Sequence, residues 1–320
     1  MEEYNYKSRR KFIRDIAGAG AFLAFYSFPT SLLANTDAYT KITILHTNDW
    51  HSRIEPFPED GGKFSGMGGA VFRASIINEI RKQEKNVLLL DDGDVFQGTP
   101  YFNFYGGELE YRLMSKMGYD AGTLGNHDFD AGLDGLNKQL VHANFPILNA
   151  NYNFSNTLLK DKFKPYQVFV KDGVRIGVFG IGIKLDGLVP AKMYGDTQYN
   201  DPIETAKKTV AILKEEEHCE IVICLSHLGY KYKENIVSDE ILAAQTKDID
   251  LIIGGHTHTF MDAPASIKNS AGNEVLIFQV GWAGINLGRV DFFLEKKSKR
   301  KWSKHHTVIV AKKTNQNNPK

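Results

Sequence analysis

Ile42-Thr43-Ile44-Leu45-His46-Thr47-Asn48-Asp49-Trp50-His51 begins as a short aliphatic run and stops abruptly at polar residues. The same form recurs three times. Residues 87–90 precede Asp91-Asp92-Gly93-Asp94, residues 221–225 precede Ser226-His227, and residues 251–253 precede Gly254-Gly255-His256. Short continuous apolar runs bounded by Gly and Asp predict strands buried on both faces. Between them, Ala70, Ala74 and Ile77 recur at helical spacing, as do Leu109, Leu113 and Met117, with Gly118 placed to stop the second helix. Asp201-Pro202-Ile203-Glu204 reads as a capped helix start whose apolar face continues through Ala206, Val210 and Leu213. Strands alternating with helices predict an α/β layered fold with a parallel or mixed sheet. Beyond about residue 270 the helical pattern stops, and residues 275–280, 289–294 and 307–310 predict a β-rich closing section.

The chain has 320 residues, 42% of them hydrophobic and 24% charged, which is the composition of a globular protein with a sizeable core. A net charge of +1 gives no broad phosphate-seeking field, which argues against a nucleic-acid polymer as partner. Two cysteines exclude a disulfide scaffold and a thiolate zinc module. Cys219 and Cys224, on one predicted strand and its lead-in, are expected on opposite faces, buried and unbridged. The basic run 296–304 is expected as a solvated hairpin tip or tail. Tyr101-Phe102-Asn103-Phe104-Tyr105 is expected to pack in the core or against a helix, with stacking on a base as the alternative.

Residues 4–34 combine a basic region containing Arg9 and Arg10, an apolar run and a small-residue end, the pattern of a twin-arginine export signal. The expected organisation is a leader over 1–36, a catalytic domain over 37–312 and a polar tail over 313–320. The mature chain would be exported to the periplasm, with no stable membrane span.

Ligands of open α/β sheets bind where strands end and loops begin. At those places stand Asp49 and His51, Asp94, Asn126 and His127, His227, and His256 with His258. Mixed Asp, His and Asn donors without thiolate suit a first-row divalent cation such as Mn²⁺, Zn²⁺, Co²⁺ or Fe²⁺. Their number exceeds the needs of one ion and fills two if a carboxylate bridges them, an arrangement suited to phosphoester hydrolysis. Gly125-Asn126-His127-Asp128-Phe129-Asp130 is the most specific stretch: Asn126 offers a neutral oxygen, and His127 with Asp130 forms an acid–orienter pair.

These motifs, with Gly93-Asp94-Val95-Phe96-Gln97-Gly98-Thr99 and Ser226-His227-Leu228-Gly229, stand in the order found in the calcineurin-like metallophosphatases. More narrowly, residues 40–300 resemble the catalytic domain of the 5′-nucleotidase and 2′,3′-cyclic phosphodiesterase family. The resemblance implies a four-layer αββα sandwich holding two divalent ions. Asp49, His51 and His258 would hold one ion, Asn126, His227 and His256 the other, with Asp94 bridging. His127 and Asp130 would match the catalytic pair, and Asn126 and His127 would contact substrate. Some nucleotidases have an amide residue at the place of His258, which bears on metal preference.

The implied function is phosphomonoester hydrolysis with a nucleotide as substrate. Broad phosphatase or cyclic-nucleotide phosphodiesterase activity, a sulfur-ester hydrolase, and a non-catalytic metal- or phosphate-binding protein are the alternatives. The family's second domain, which grips the nucleoside, has no counterpart in this sequence, so a separate polypeptide is one expected source of that grip.

Overall fold

The computed structural model describes residues 38–234, 236–298 and 300–312. The leader expected over 1–36 and the tail expected over 313–320 lie outside the described residues. The chain divides into Met1–Tyr39 and Thr40–Lys320, and the description concerns the second unit, with Tyr39 entering only as the first residue of a strand.

Two sheets organise this unit. The first contains β1 (Tyr39–Thr47), β2 (Val87–Asp91), β3 (Ala121–Gly122), β12 (Asn286–Glu295) and β13 (Lys301–Ile309), in the order β13-β12-β1-β2-β3. The second contains β5 (Tyr166–Lys171), β6 (Val174–Ile181), β8 (Ile221–Ser226), β9 (Leu251–Gly254), β10 (Ala265–Lys268) and β11 (Glu274–Phe278), in the order β10-β11-β9-β8-β6-β5. A small antiparallel pair joins β4 (Tyr152–Asn153) to β7 (Gln198–Tyr199). Strands β1, β2 and β3 run parallel, as do β6, β8, β9 and β11. Register then levels their carboxyl ends: Thr47 lies opposite Asp91, Asp91 opposite Gly122, and Ser226 opposite Gly254.

Side-chain alternation distributes the strand residues over three cores. Ile42, Ile44, Leu88 and Leu90 meet Ile221, Ile223, Leu225 and Ile253 between the sheets. The opposite face of the first sheet, through Leu45, Val87 and Leu89, packs on α1 (Ala70–Gln83), α3 (Glu108–Met117) and α4 (Gly132–Gln139). The opposite face of the second, through Val222, Cys224 and Ile252, packs on α5 (Pro202–Ala211) and α6 (Asp239–Gln245). The result is the expected helix–sheet–sheet–helix sandwich. Because strands β2, β8 and β9 are buried on both faces, their sequences read as unbroken apolar runs. Each fully buried aliphatic side chain contributes about 1.5–3 kcal/mol to that burial.

The helix start at Asp201 forms as read, with Asp201 Oδ1 accepting from the Glu204 amide at 2.9 Å. The reciprocal half of the capping box is absent, because Glu204 Oε1 accepts from Lys207 instead. Gly118 ends α3 in the left-handed conformation, but the buried face of α3 is Glu110, Tyr111, Met114 and Met117. The expected stripe Leu109–Leu113–Met117 is therefore rotated toward the bulkier Tyr111. In α2 (Pro100–Tyr105), Phe102 packs against Phe96, whereas Phe104 is 81% exposed, so the aromatic stretch is core only in part.

Cys219 and Cys224 are free and buried as expected, yet both belong to the outer core of the second sheet instead of opposite faces. The lead-in carrying Cys219 is not extended: its amide bonds back to Leu213. Within the basic run, Lys301 is not simply solvated, since it donates to the Glu220 carbonyl at 2.9 Å and pairs with Asp250. Among the described residues no helix is long and apolar enough to cross a membrane.

Candidate metal centre

All nine residues singled out in the sequence lie in the loops leaving β1, β2, β3, β8 and β9. The levelled strand ends place those loops on one rim, although Asp49 and His256 are 207 residues apart. Six of the residues form two compact groups, Asp49–His51–His258 and Asp94–His227–His256, with ligand atoms within 4.8 Å of one another in each group. Five of the six (Asp49, His51, Asp94, His256 and His258) have φ between 50 and 65°, where non-glycine residues are uncommon. Concentrated left-handed strain of this kind, about 1–3 kcal/mol per residue, is held in place by the surrounding structure and marks functional sites.

In the first group His51 Nε2 and His258 Nε2 are 2.9 Å apart, and Asp49 Oδ1 is 3.3 Å from His258 Nε2. In the second, Asp94 Oδ2 is 3.1 Å from His227 Nε2, and the His227 and His256 rings are 5.5 Å apart. Asp94 also lies 3.9 Å from His51 Nε2, so its carboxylate faces both groups.

Backbone carbonyls fix the tautomers. His227 Nδ1 donates to the Asp92 carbonyl at 2.7 Å and His51 Nδ1 to the Phe96 carbonyl at 3.3 Å. A carbonyl only accepts, so the neutral form of each ring has its lone pair on Nε2, facing the interior of the site. The Asn126 carboxamide oxygen is buried without a hydrogen-bond partner, and His227 Nε2 has only the Asp94 carboxylate beside it. An orphaned oxygen, imidazole nitrogens and two carboxylates are a donor set that a divalent cation completes, and the residues present fit such ions.

The electrostatics carry the same signature. Burial pushes the His256 imidazole down to about 4. Burial also acts to lower His227, but Asp94 and Asp92 override it and leave that ring well above its ordinary value. Burial works to raise Asp94, and His227 and His51 hold it below the usual carboxylate range. The pocket is rich in negative charge that the imidazoles alone are left to balance.

His127 stands at the edge, its ring 5.3 Å from that of His51. Its amide donates to Asp94 Oδ1 at 2.7 Å, and its Nδ1 lies 2.8 Å from Asp130 Oδ2. That hydrogen bond raises the His127 pKa against the opposing effect of burial. Asn126 is tied into the site through this same turn.

Several residues that hold the site escaped the sequence reading. Asp128 accepts from four buried amides, Gly125, Asp94, Val95 and Phe96, and so fastens the β2 loop to the β3 loop. Asn48 donates to Asp49 Oδ2 and to the Gly281 carbonyl. Gln279 and Asp239 brace the His256 loop: Gln279 Nε2 donates to the Gly255 carbonyl at 2.8 Å and to Asp239 at 3.3 Å. Asn48 and Asp128 stand inside the motifs, where nothing in the sequence separates a ligand from the residue behind it, and Asp239 and Gln279 lie outside every motif and carried no signal. The glycines of the motifs are close-approach positions. A Cβ on Gly125 would lie 2.1 Å from Asp94 Oδ1, and one on Gly255 would lie 2.6 Å from Asp92 Oδ2.

Residues 42–260, more than half of the chain, match the calcineurin-like phosphoesterase family. The chain is 36% identical over 248 residues to a snake venom 5′-nucleotidase of Gloydius brevicauda, covering 73% of this chain and 40% of that protein. It is 35% identical over 247 residues to a 5′-nucleotidase of Vibrio cholerae, covering 73% of this chain and 43% of that protein. The solved 5′-nucleotidase precursor from Thermus thermophilus superposes with a TM-score of 0.76 at 32% identity, over 85% of this chain and 55% of that one. The chain spans about two-fifths of the length of the first two relatives it matches. With its sandwich, its rim of strand-end ligands and this match, the chain belongs to the calcineurin-like phosphoesterase family.

Proposed function

We propose that residues 37–312 form a catalytic domain that hydrolyses phosphomonoesters, with nucleoside 5′-monophosphates as substrate. The observation that carries this reading is the pair of Asp/His groups facing a shared Asp94, with the His127–Asp130 pair alongside. Asp49, His51 and His258 would hold one divalent ion and Asn126, His227 and His256 a second, with Asp94 between them. Such paired ions supply charge neutralisation of the phosphoryl oxygens and a water nucleophile at neutral pH.

The chain's own residues do the rest. The loops leaving β1, β2, β8 and β9 fix the ligands at the rim, so little reorganisation accompanies substrate binding. As water adds to phosphorus, the ester P–O bond breaks and the leaving alkoxide needs a proton. His127 Nδ1 is engaged by Asp130, which leaves Nε2 as the atom that stabilises the developing charge and delivers that proton. The 5′-nucleotidase names of the relatives support a nucleotide substrate, and the sequence of residues 4–34 supports export.

The test is phosphate release by the purified chain from AMP, cyclic nucleotides and sugar phosphates, with Mn²⁺ or Zn²⁺ and with chelator. Metal-dependent release from AMP is the expected result. Silence toward every phosphoester under all metals, or cleavage of sulfur esters alone, overturns the reading.

A further inference from the structure

The ligand imidazoles are not all held in the same way. The histidine χ2 torsion is broad, so the backbone alone does not set the plane of the ring. His51 and His227 have their planes fixed by Nδ1 donating to the Phe96 and Asp92 carbonyls. Among the described residues no carbonyl accepts from His258, whose side chain is 38% exposed at the edge of the first group. Its ring lies instead against Trp282, with centroids 5.7 Å apart and planes at 8°. A turn about χ2 would drive the edge of the imidazole toward the indole face, so the stacked partner restricts this torsion.

Trp282 is itself fixed in place. Phe57 and Phe64 meet it edge-on at 5.9 and 6.5 Å, and the Arg53 guanidinium lies 4.3 Å from the Phe57 centroid. Its two chain neighbours are tied to Asp49, the carboxylate of the same group. The Gly281 carbonyl accepts from Asn48, which also donates to Asp49 Oδ2, and the Ala283 amide donates to the Asp49 carbonyl at 2.7 Å. Gly281 and Ala283 have φ of 83° and 58°, so the stretch carrying the indole bends to meet the β1 loop. One short segment thus sets Asp49 through its backbone and His258 through its side chain. The second group is held by other contacts, His227 by the Asp92 carbonyl and the His256 loop by Gln279.

We propose that Trp282 is a positioning residue for His258, and that through this ring it sets the affinity of the ion held by Asp49, His51 and His258. The inference rests on the reading above that each group holds a divalent ion. Trp282 offers that ion no ligand atom of its own; its indole face does for His258 what a carbonyl does for His51 and His227. The ion of the second group is outside its reach.

The experiment titrates the metal-free full chain with Mn²⁺ against a competing metal indicator, with urea unfolding of the same variants alongside. Wild type should take up two ions. Trp282→Ala should weaken one of them about 10- to 100-fold and leave the other unmoved. Trp282→Phe, which keeps a flat face, should recover most of that loss, whereas Trp282→Leu, which keeps bulk alone, should not. In a His258→Ala background Trp282→Ala should cost the same ion nothing further, because residues that act as one unit are not additive. Equal weakening of both ions, wild-type affinity in Trp282→Ala, full rescue by leucine, or the same loss with and without His258 overturns the role of Trp282 and leaves the two-ion reading standing. If urea unfolding shows that Trp282→Ala does not fold, the phenylalanine and leucine variants decide. A wild type that takes up fewer than two ions overturns the two-ion reading and this inference with it.

Discussion

Replacing Asp128 by asparagine probes the frame of the centre without touching a residue assigned to hold metal. Asp128 Oδ2 accepts from the amides of Asp94 (3.0 Å) and Gly125 (2.8 Å), and Oδ1 from those of Val95 (3.1 Å) and Phe96 (3.3 Å). In asparagine one oxygen becomes an NH2 group, which only donates. Whichever way the carboxamide turns, two buried amides lose their acceptor. At about 1–3 kcal/mol for each stranded donor, the variant loses roughly 2–6 kcal/mol. A typical domain has about 5–15 kcal/mol in total, so the protein still folds but unfolds at lower denaturant. The loosened loops carry Asp94 and Asn126, so metal affinity falls by about 10- to 100-fold as well. Urea unfolding of the metal-free protein reads the first effect, and competition titration with a metal indicator reads the second. If Asp128→Asn unfolds at the wild-type midpoint and binds metal as tightly, Asp128 is not the clamp described here.

Asp94→Asn should empty the centre and bring phosphate release to background, because one carboxylate faces both groups; elemental analysis showing full metal loading in the variant would refute the shared role. His127→Ala should keep its metal and lower turnover about 10²- to 10⁴-fold, whereas lost metal with unchanged turnover per bound ion would reverse the assignment. Gly125→Ala should weaken metal binding in a folded protein, since the new methyl must displace Asp94; an unchanged titration curve would show that the loop yields freely. Away from the centre, burial acts to raise the Asp291 carboxyl, but hydrogen bonds from Arg289 and Thr43 hold it below its ordinary 3.8. A depressed folded pKa stabilises above the unfolded value and is lost as pH falls through the folded one. Asp291→Asn should therefore be less stable than wild type at pH 7, with the gap closing below about pH 4; a gap independent of pH would refute it.

Four of the five strands that end at the centre, β1, β2, β8 and β9, were legible because they are buried apolar runs that stop at polar residues within one or two positions of their observed ends, whereas β3, two residues long, was not. The ligand types were legible because imidazole and carboxylate recur at those stops. Strand β6, a central member of the second sheet, was not. Gly177 and Gly180 interrupt its apolar run, and the reason for them is tertiary: a Cβ at Gly177 would meet Leu213, and one at Gly180 would lie 2.1 Å from the Leu148 carbonyl. The buried face of α3 was misplaced by a fraction of a turn, since periodicity locates a stripe but not which neighbour fills it.

By itself the sequence determined the layered α/β class, the strand ends and the chemistry available at each of them. Only the tertiary structure decided which ends stand together: that His256 reaches Asp49 and that Asp94 faces both groups. It also decided that Asp128 clamps the turn and that Trp282 stacks on His258. The physical reason is that hydrophobic pattern encodes how deeply a segment is buried, which is a local property. Pairing and register between segments far apart in sequence depend on how two whole sheets pack, and no single stretch of chain carries that information.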